Sequence, residues 1–83
     1  MSLKITYLTA PWCSPCKTLL PKVRHLAEAE GIPHQVIDVE ADPWHVPSDV
    51  RGVPTILVEK DGTQIAHLGS AMASIPALRK ALA

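Results

Sequence analysis

The spacing of apolar residues predicts a strand, a long helix and a second strand in the first half of the chain. Residues 3–8 alternate and are rich in β-forming side chains, which is typical of a strand. Within residues 14–30 the apolar positions follow one helix face: Cys16, Leu19, Leu20, Val23, Leu26 and Ala27. Gly31 and Pro33 predict the end of that helix. Residues 35–39 form the next strand, and the connecting helix makes the two strands parallel.

The second half of the chain predicts a hairpin and a final helix. Residues 55–59 and 63–68 flank Asp61-Gly62, a dipeptide favoured in tight turns between antiparallel strands. Ser74 is a suitable cap for a last helix. One face of that helix is apolar: Ile75, Leu78 and Leu82.

Prolines and one tryptophan leave alternatives open. Asp42-Pro43 favours the start of a helix over residues 44–50, which Pro47 limits to a turn or two. Pro21 lies inside the long helix, where it is either a tolerated kink or a device that sets the tilt of the preceding turn. Trp44 either packs in the core under the short helix, which we favour, or forms the floor of a substrate groove.

Together these segments predict an α/β fold in the order β-α-β-(short α)-β-β-α. We expect a four-stranded mixed sheet with helices on both faces, formed by residues 1–83 as a single domain. The chain is small, so only about 60–65% of its unfolded surface can be buried.

Charge and composition exclude several classes of partner. Eight basic and eight acidic residues balance, and neither sign forms a run, so we expect no nucleic-acid partner and no membrane partner. The first four residues lack the apolar segment of a signal peptide, and no stretch is long enough to span a bilayer. We therefore expect a cytoplasmic monomer, and in that compartment a lone Cys-x-x-Cys is more often catalytic than structural.

The two cysteines of the chain, Cys13 and Cys16, lie between the first strand and the long helix. A helix N-terminus carries partial positive charge and unpaired backbone N–H groups, so it stabilises a thiolate. We predict that Cys13 is the nucleophile, with an exposed sulfur at the loop–helix junction. Cys16 starts the apolar helix face, so we expect it to be mostly buried and to resolve the mixed disulfide. Pro15 suits the first helical turn.

A metal site and a purely structural disulfide are the alternatives for this cysteine pair. A zinc site needs about four ligands, but the chain has no second Cys-x-x-Cys. Its histidines are scattered and form no ligand pair: His25, His34, His45 and His67. A structural disulfide across so short a loop removes little chain entropy. We therefore predict redox chemistry and no metal.

A second motif, Arg51-Gly52-Val53-Pro54-Thr55, directly precedes the third strand. A proline that starts a strand is one interpretation of Pro54. Together with Trp-Cys-Ser-Pro-Cys-Lys at residues 12–17, however, this motif resembles the thioredoxin family, and the resemblance covers nearly all of the chain. It implies a minimal thioredoxin fold in which Pro54 is cis and lies beside Cys13. It also implies that the Val53 backbone pairs with the substrate.

The resemblance further implies a shallow apolar substrate groove around Cys13, lined by Pro11, Trp12 and Gly69. Some positions depart from the usual thioredoxin pattern. Ser14 replaces a glycine, and Tyr7 replaces a buried aspartate, which is more typical of glutaredoxins. The chain also begins directly at the active-site strand, like glutaredoxins and the small glutaredoxin-like donors of ribonucleotide reductase. Yet the Gly-Gly pair and the following aspartate that bind glutathione in glutaredoxins are replaced here by Gly-Ser-Ala at residues 69–71.

These observations predict a thiol-disulfide oxidoreductase that reduces protein disulfides through Cys13 and Cys16. We expect no bound cofactor, a redox-active Cys13–Cys16 disulfide, and electrons from NADPH through a thioredoxin reductase-type donor. The expected substrates are disulfide-containing proteins, with ribonucleotide reductase among the candidates. Two alternatives remain open: a glutathione-dependent glutaredoxin, and a protein-binding module in which redox activity is incidental.

Overall fold

The computed structural model describes residues 2–48, 50 and 52–83. The chain order is β1 (Leu3–Thr9), α1 (Ser14–Ala29), β2 (His34–Asp38), a 3₁₀ turn (Pro43–His45), β3 (Thr55–Lys60), β4 (Thr63–Gly69), a second 3₁₀ turn (Ser70–Met72) and α2 (Ile75–Leu82). No helix in these residues is long and apolar enough to cross a membrane.

The four strands form one mixed sheet in the order β2-β1-β3-β4. β1 is parallel to β2, with Tyr7 opposite Val36, and antiparallel to β3, with Tyr7 opposite Ile56. β3 and β4 are antiparallel, as the Asp61-Gly62 turn predicts. The predicted α/β fold with a four-stranded mixed sheet is therefore confirmed. One of its two central strands, β1, leads directly into the cysteine motif.

Local backbone chemistry sets the ends of these elements. Asp61 and Gly62 have φ values of 53° and 84°, and this pair of positive angles is that of the tight hairpin turn matching the twist of the strands. At the end of α1, Gly31 has φ 67°. The Ile32 N–H donates to Ala27 O at 2.8 Å and the Gly31 N–H donates to Glu28 O at 3.2 Å, which closes the last turn as a Schellman motif.

Both α-helices pack on the same sheet face, which carries alternate residues of the central strands. The expectation of helices on both faces is therefore wrong for the two α-helices, because the segment between β2 and β3 forms only a 3₁₀ turn. The core under the two α-helices contains strand residues Ile5, Tyr7, Ile56 and Val58, and helix residues Cys16, Val23, Leu26, Ala27 and Leu78. α1 continues through Pro21, whose nitrogen has no proton to donate, and Val23 beyond it is fully buried. The core thus anchors the cysteine-bearing first turn of α1 against β1.

The segment between β2 and β3 differs from its predicted form. The short helix, which Pro47 is expected to limit to a turn or two, is a single 3₁₀ turn at Pro43–His45 that begins at one proline and is followed by another. Trp44 is 76% exposed, so the interpretation that it packs in the core is wrong. A turn of three residues has no buried face with which to hold a large side chain. The 3₁₀ turn after β4, at Ser70–Met72, was not predicted.

Candidate active site

A tight turn carries the chain from β1 to the first cysteine. The Cys13 N–H donates to Ala10 O at 3.1 Å, and Pro11 occupies the second position of this turn, where its fixed φ is favourable. Pro11 and Trp12 are exposed at its outer edge. The turn therefore places the two residues beside Cys13 on the surface.

Cys13 is the N-cap of α1. Its backbone is extended (φ −92°, ψ 99°), and its Sγ accepts a hydrogen bond from the Cys16 N–H at 3.2 Å. Pro15 lies in the first turn, where the absence of an N–H has no cost. Because the sulfur accepts from a backbone N–H that has no partner within the helix, at the positive end of α1, a thiolate formed there gains a charge-assisted hydrogen bond.

The two sulfurs form a disulfide, with an S–S distance of 2.09 Å and a Cα–Cα distance of 5.3 Å. Cys16 is fully buried, as predicted. Cys13 is only 5% exposed, so the expectation of an exposed sulfur is wrong for this oxidised form. The disulfide draws the Cys13 sulfur over the first turn of α1, toward the buried Cys16. The environment that favours reactivity at Cys13 is therefore the helix terminus rather than wide exposure.

Tyr7 lies beneath the motif on β1 and is 1% exposed. Its hydroxyl donates to the carbonyl oxygen of Cys16 at 2.9 Å, so Tyr7 is a packed strand residue with a bonded hydroxyl. Burial raises the pKa of Tyr7 to about 12. The phenol therefore keeps its proton near neutral pH and cannot accept one from the Cys16 thiol.

Trp12 has a partner that the sequence analysis missed. Its side chain is 66% exposed, and its indole Nε1–H donates to Oε1 of Glu40 at 2.9 Å. Glu40 follows β2, and β1 ends at the same edge of the sheet because the two strands are parallel. The parallel pairing of β1 and β2 could therefore have predicted that a residue just after β2 lies near the cysteine motif. The hydrogen bond holds an otherwise exposed ring in one orientation.

We expect Glu40→Ala to lower insulin-disulfide reduction about two- to fivefold, because an exposed charged hydrogen bond contributes only about 0.5–1 kcal/mol. The measurement is the initial rate over a range of insulin concentrations. Glu40→Gln keeps a carbonyl acceptor and is the matched control, for which we expect a smaller loss. Equal rates for wild type and Glu40→Ala would show that the orientation of Trp12 has no part in turnover.

The loop before β3 lies at the same edge of the sheet. The Val53–Pro54 peptide bond is cis. Two hydrogen bonds hold the loop on either side of that bond. The Thr55 Oγ1–H donates to Gly52 O at 2.6 Å, and the Ser70 N–H donates to Pro54 O at 2.8 Å. Within the described residues the Val53 backbone makes no hydrogen bond. Arg51 of this motif lies outside the described residues.

The structure brings most of the predicted site residues together. Trp12 and Val53 face a small cavity of about 240 Å³, whose other walls are Val39, Val46, Val50 and Gly52. Gly69 ends β4 opposite Thr55, which follows Pro54 directly. Pro11 is exposed on the same turn as Trp12. The surface around the disulfide is thus largely apolar. The described residues contain no group of three His, Cys, Asp or Glu side chains placed to hold a metal ion.

Comparison with known proteins gives one family. The family model described as Thioredoxin matches residues 2–82. Thioredoxin from Bacillus subtilis is 36% identical over 56 residues, covering 64% of this chain and 54% of that protein. Thioredoxin from Rhodospirillum rubrum is 40% identical over 57 residues, with the same coverage of 64% and 54%. The chain therefore spans about half the length of these curated relatives.

A solved structure extends the similarity to almost the whole chain. Thioredoxin 1 from Thermosipho africanus superposes with a TM-score of 0.86 at 31% identity, covering 95% of this chain and 89% of that one. The family model spans all of the chain except its terminal residues, and the strands, helices and cysteine pair agree with that family. The chain therefore belongs to the thioredoxin family.

Proposed function

We propose that the protein is a thiol-disulfide oxidoreductase that reduces disulfides in other proteins. The Cys13 thiolate attacks one sulfur of a substrate disulfide, and the other sulfur leaves as a thiolate. The Cys16 thiolate then displaces the substrate from the mixed disulfide. The products are a dithiol substrate and the Cys13–Cys16 disulfide, so two electrons pass to the substrate. The observation that carries this proposal is the disulfide at the capped N-terminus of α1.

The different positions of the two cysteines support their separate roles. Cys13 is the N-cap residue, next to the exposed Trp12, and its sulfur meets the Cys16 N–H. Cys16 lies one turn further on, fully buried against the core. A buried thiol in apolar surroundings has a raised pKa and reacts with what is delivered to it. A mixed disulfide on Cys13 delivers a sulfur to that position.

The loop at Val53 supports binding of a polypeptide substrate. Its backbone N–H and C=O have no partner in the described part of the chain, while hydrogen bonds fix the residues on either side. An extended segment can pair with such a free backbone edge, as in other cases of strand addition. The apolar surface formed by Trp12, Val53 and Gly69 would cover the segment next to the substrate cysteine.

The same surface favours a protein as the electron donor. The turn after Gly69 contains Ser70, Ala71 and Met72 and no carboxylate that could meet the amino group of glutathione. A protein reductase instead covers an apolar patch with few polar contacts. We therefore propose that electrons come from NADPH through a thioredoxin reductase-type protein, with no cofactor held by this chain. Ribonucleotide reductase is one candidate substrate among disulfide-containing proteins.

We expect NADPH with a thioredoxin reductase from the same source to reduce the oxidised protein at least about tenfold faster than NADPH, glutathione and glutathione reductase, because the site lacks groups for glutathione's charged ends. NADPH loss is followed with insulin as the acceptor under each system. A variant with both cysteines replaced by serine is the control and should be inactive in both.

Turnover by the glutathione system as fast as by the reductase would assign a glutathione-dependent glutaredoxin instead. If neither system acts, and a binding partner is retained by the variant that lacks both cysteines, the chain is a binding module in which redox chemistry is incidental. The two NADPH assays and the binding measurement together therefore separate all three functions.

A further inference from the structure

A groove runs between the two α-helices and reaches the redox site. Its volume is about 850 Å³, within the roughly 300–1,000 Å³ range of ligand clefts. At one end it is bounded by Pro15 of the first helical turn, by Pro54 and by Ser70. From there it follows α1 and α2 along their length. We call it the interhelical groove, and its central residues are Leu19, Lys22, His25, Ile75, Pro76 and Arg79.

The walls of the interhelical groove combine apolar side chains with cations. Leu19, Ile75 and Pro76 are apolar, whereas Lys22 and Arg79 are exposed basic residues on facing helices. Neither cation has a carboxylate within 4.0 Å among residues 2–48, 50 and 52–83. Glu30 also lines the groove, but it follows α1 at the end opposite Pro15. Arg79 lies toward that same end, where it lines a smaller adjoining cavity with Glu30, whereas Lys22 lies near the middle of α1. The basic side chains therefore lie along the middle and far part of the groove, beyond the end that meets the redox site.

We propose that the interhelical groove binds an acidic and partly apolar segment of the disulfide-containing protein substrate. This proposal rests on the proposed function, since it identifies what the same site selects. Continuity supports it because Pro54 belongs both to the loop that we assign to substrate pairing and to the wall of the groove. A substrate segment that leaves the Val53 backbone can therefore enter the groove without a break. Its apolar side chains would contact Leu19 and Ile75, and its carboxylates would meet Lys22 and Arg79.

Two disulfide-cyclised peptides test the proposal. Both peptides carry leucine-containing tails at each end. They differ only in that the tails of the acidic peptide contain aspartate where those of the neutral peptide contain asparagine. For the wild-type protein we expect the acidic peptide to be reduced about five- to tenfold faster, as the sum of two exposed charge pairs. In the Lys22→Gln/Arg79→Gln variant this ratio of rate constants should fall to about one.

The chain offers a matched control for loss of charge. Arg24 and Lys80 lie on the same two helices, are exposed, and do not line the groove. The Arg24→Gln/Lys80→Gln variant loses the same net charge, so it should keep the preference for the acidic peptide. A preference lost equally in both variants would mean that net charge, rather than the groove, selects the substrate, and would overturn the proposal.

A binding measurement separates this proposal from the proposed function. A cysteine-free version of the acidic peptide is added to the protein, and backbone amide shifts are followed by NMR. Shifts at Leu19 and Ile75, together with no reduction of either disulfide-cyclised peptide, would support the groove and overturn the proposed function. Equal reduction of the two cyclised peptides, with no shifts at these residues, would support the proposed function and overturn the groove as a binding site. A third outcome is that the Lys22→Gln/Arg79→Gln variant loses rate only with glutathione disulfide as the substrate and keeps its preference for the acidic peptide. That result would show that the groove does not bind a substrate peptide.

Discussion

Cys13→Ser is expected to reduce insulin disulfides only at the uncatalysed rate, whereas Cys16→Ser should accumulate mixed disulfides with its substrates. The reason is the order of events. Cys13 Sγ lies at the N-cap, where the Cys16 N–H at 3.2 Å and the helix terminus stabilise its thiolate. Without Cys16 the first attack still occurs, but no thiol displaces the substrate from Cys13. Non-reducing gels and mass spectrometry of the trapped adducts measure the outcome.

The control is the variant with both cysteines replaced by serine, which should trap nothing. Equal trapping by Cys13→Ser and Cys16→Ser would remove the assignment of attacker and resolver. Alkylation of the reduced protein by iodoacetamide near neutral pH gives an independent check. The two cysteines differ little in exposure, at 5% and 0% in the disulfide form. Faster modification of Cys13 in the reduced protein would support its assignment as the attacking thiol.

Elements whose ends are set by neighbouring residues were predictable from the sequence. The long helix ends at Ala29, one residue before its predicted end, because Gly31 adopts the positive φ that a Schellman motif needs. Asp61-Gly62 forms the expected turn, and Ser74 caps α2 by accepting from the Ala77 N–H at 3.3 Å. In each case the signal and its structural consequence lie within a few residues of each other.

Features that depend on distant contacts were not predictable in the same way. Trp44 is exposed because its 3₁₀ turn offers no second turn to pack it against the sheet. Glu40 meets Trp12 across 28 positions of sequence, through the parallel pairing of β1 and β2. The interhelical groove exists only because α1 and α2 lie on one face of the sheet. Hydrophobic periodicity identifies such helices but does not state the spacing between them.

Tyr7 should make the protein less stable as the pH rises above about 10, the ordinary pKa of a tyrosine side chain. Burial raises the pKa of Tyr7 to about 12 in the folded protein. Below about pH 10 the phenol is protonated in both the folded and the unfolded chain, so its ionisation does not affect stability. Between about pH 10 and 12 only the unfolded chain releases the proton, which favours unfolding. The expected loss is about 1.4 kcal/mol at pH 11.

Urea unfolding of wild type and Tyr7→Phe across this pH range isolates the effect, because the lysines titrate in both proteins. At neutral pH, Tyr7→Phe should cost about 1 kcal/mol, since the hydrogen bond to Cys16 O at 2.9 Å is lost. Above about pH 10 this difference should shrink and then reverse, because only the wild type carries the ionisable phenol.

Tyr7 is the single tyrosine of the chain, so near-ultraviolet absorbance of tyrosinate reports its pKa directly. An absorbance midpoint near 10 in the folded protein would show that the hydroxyl is hydrated rather than buried. The same variant tests the chemistry: the resolving step should keep its pH profile, and a tenfold slower attack by Cys16 would mean that the hydroxyl positions this cysteine for reaction.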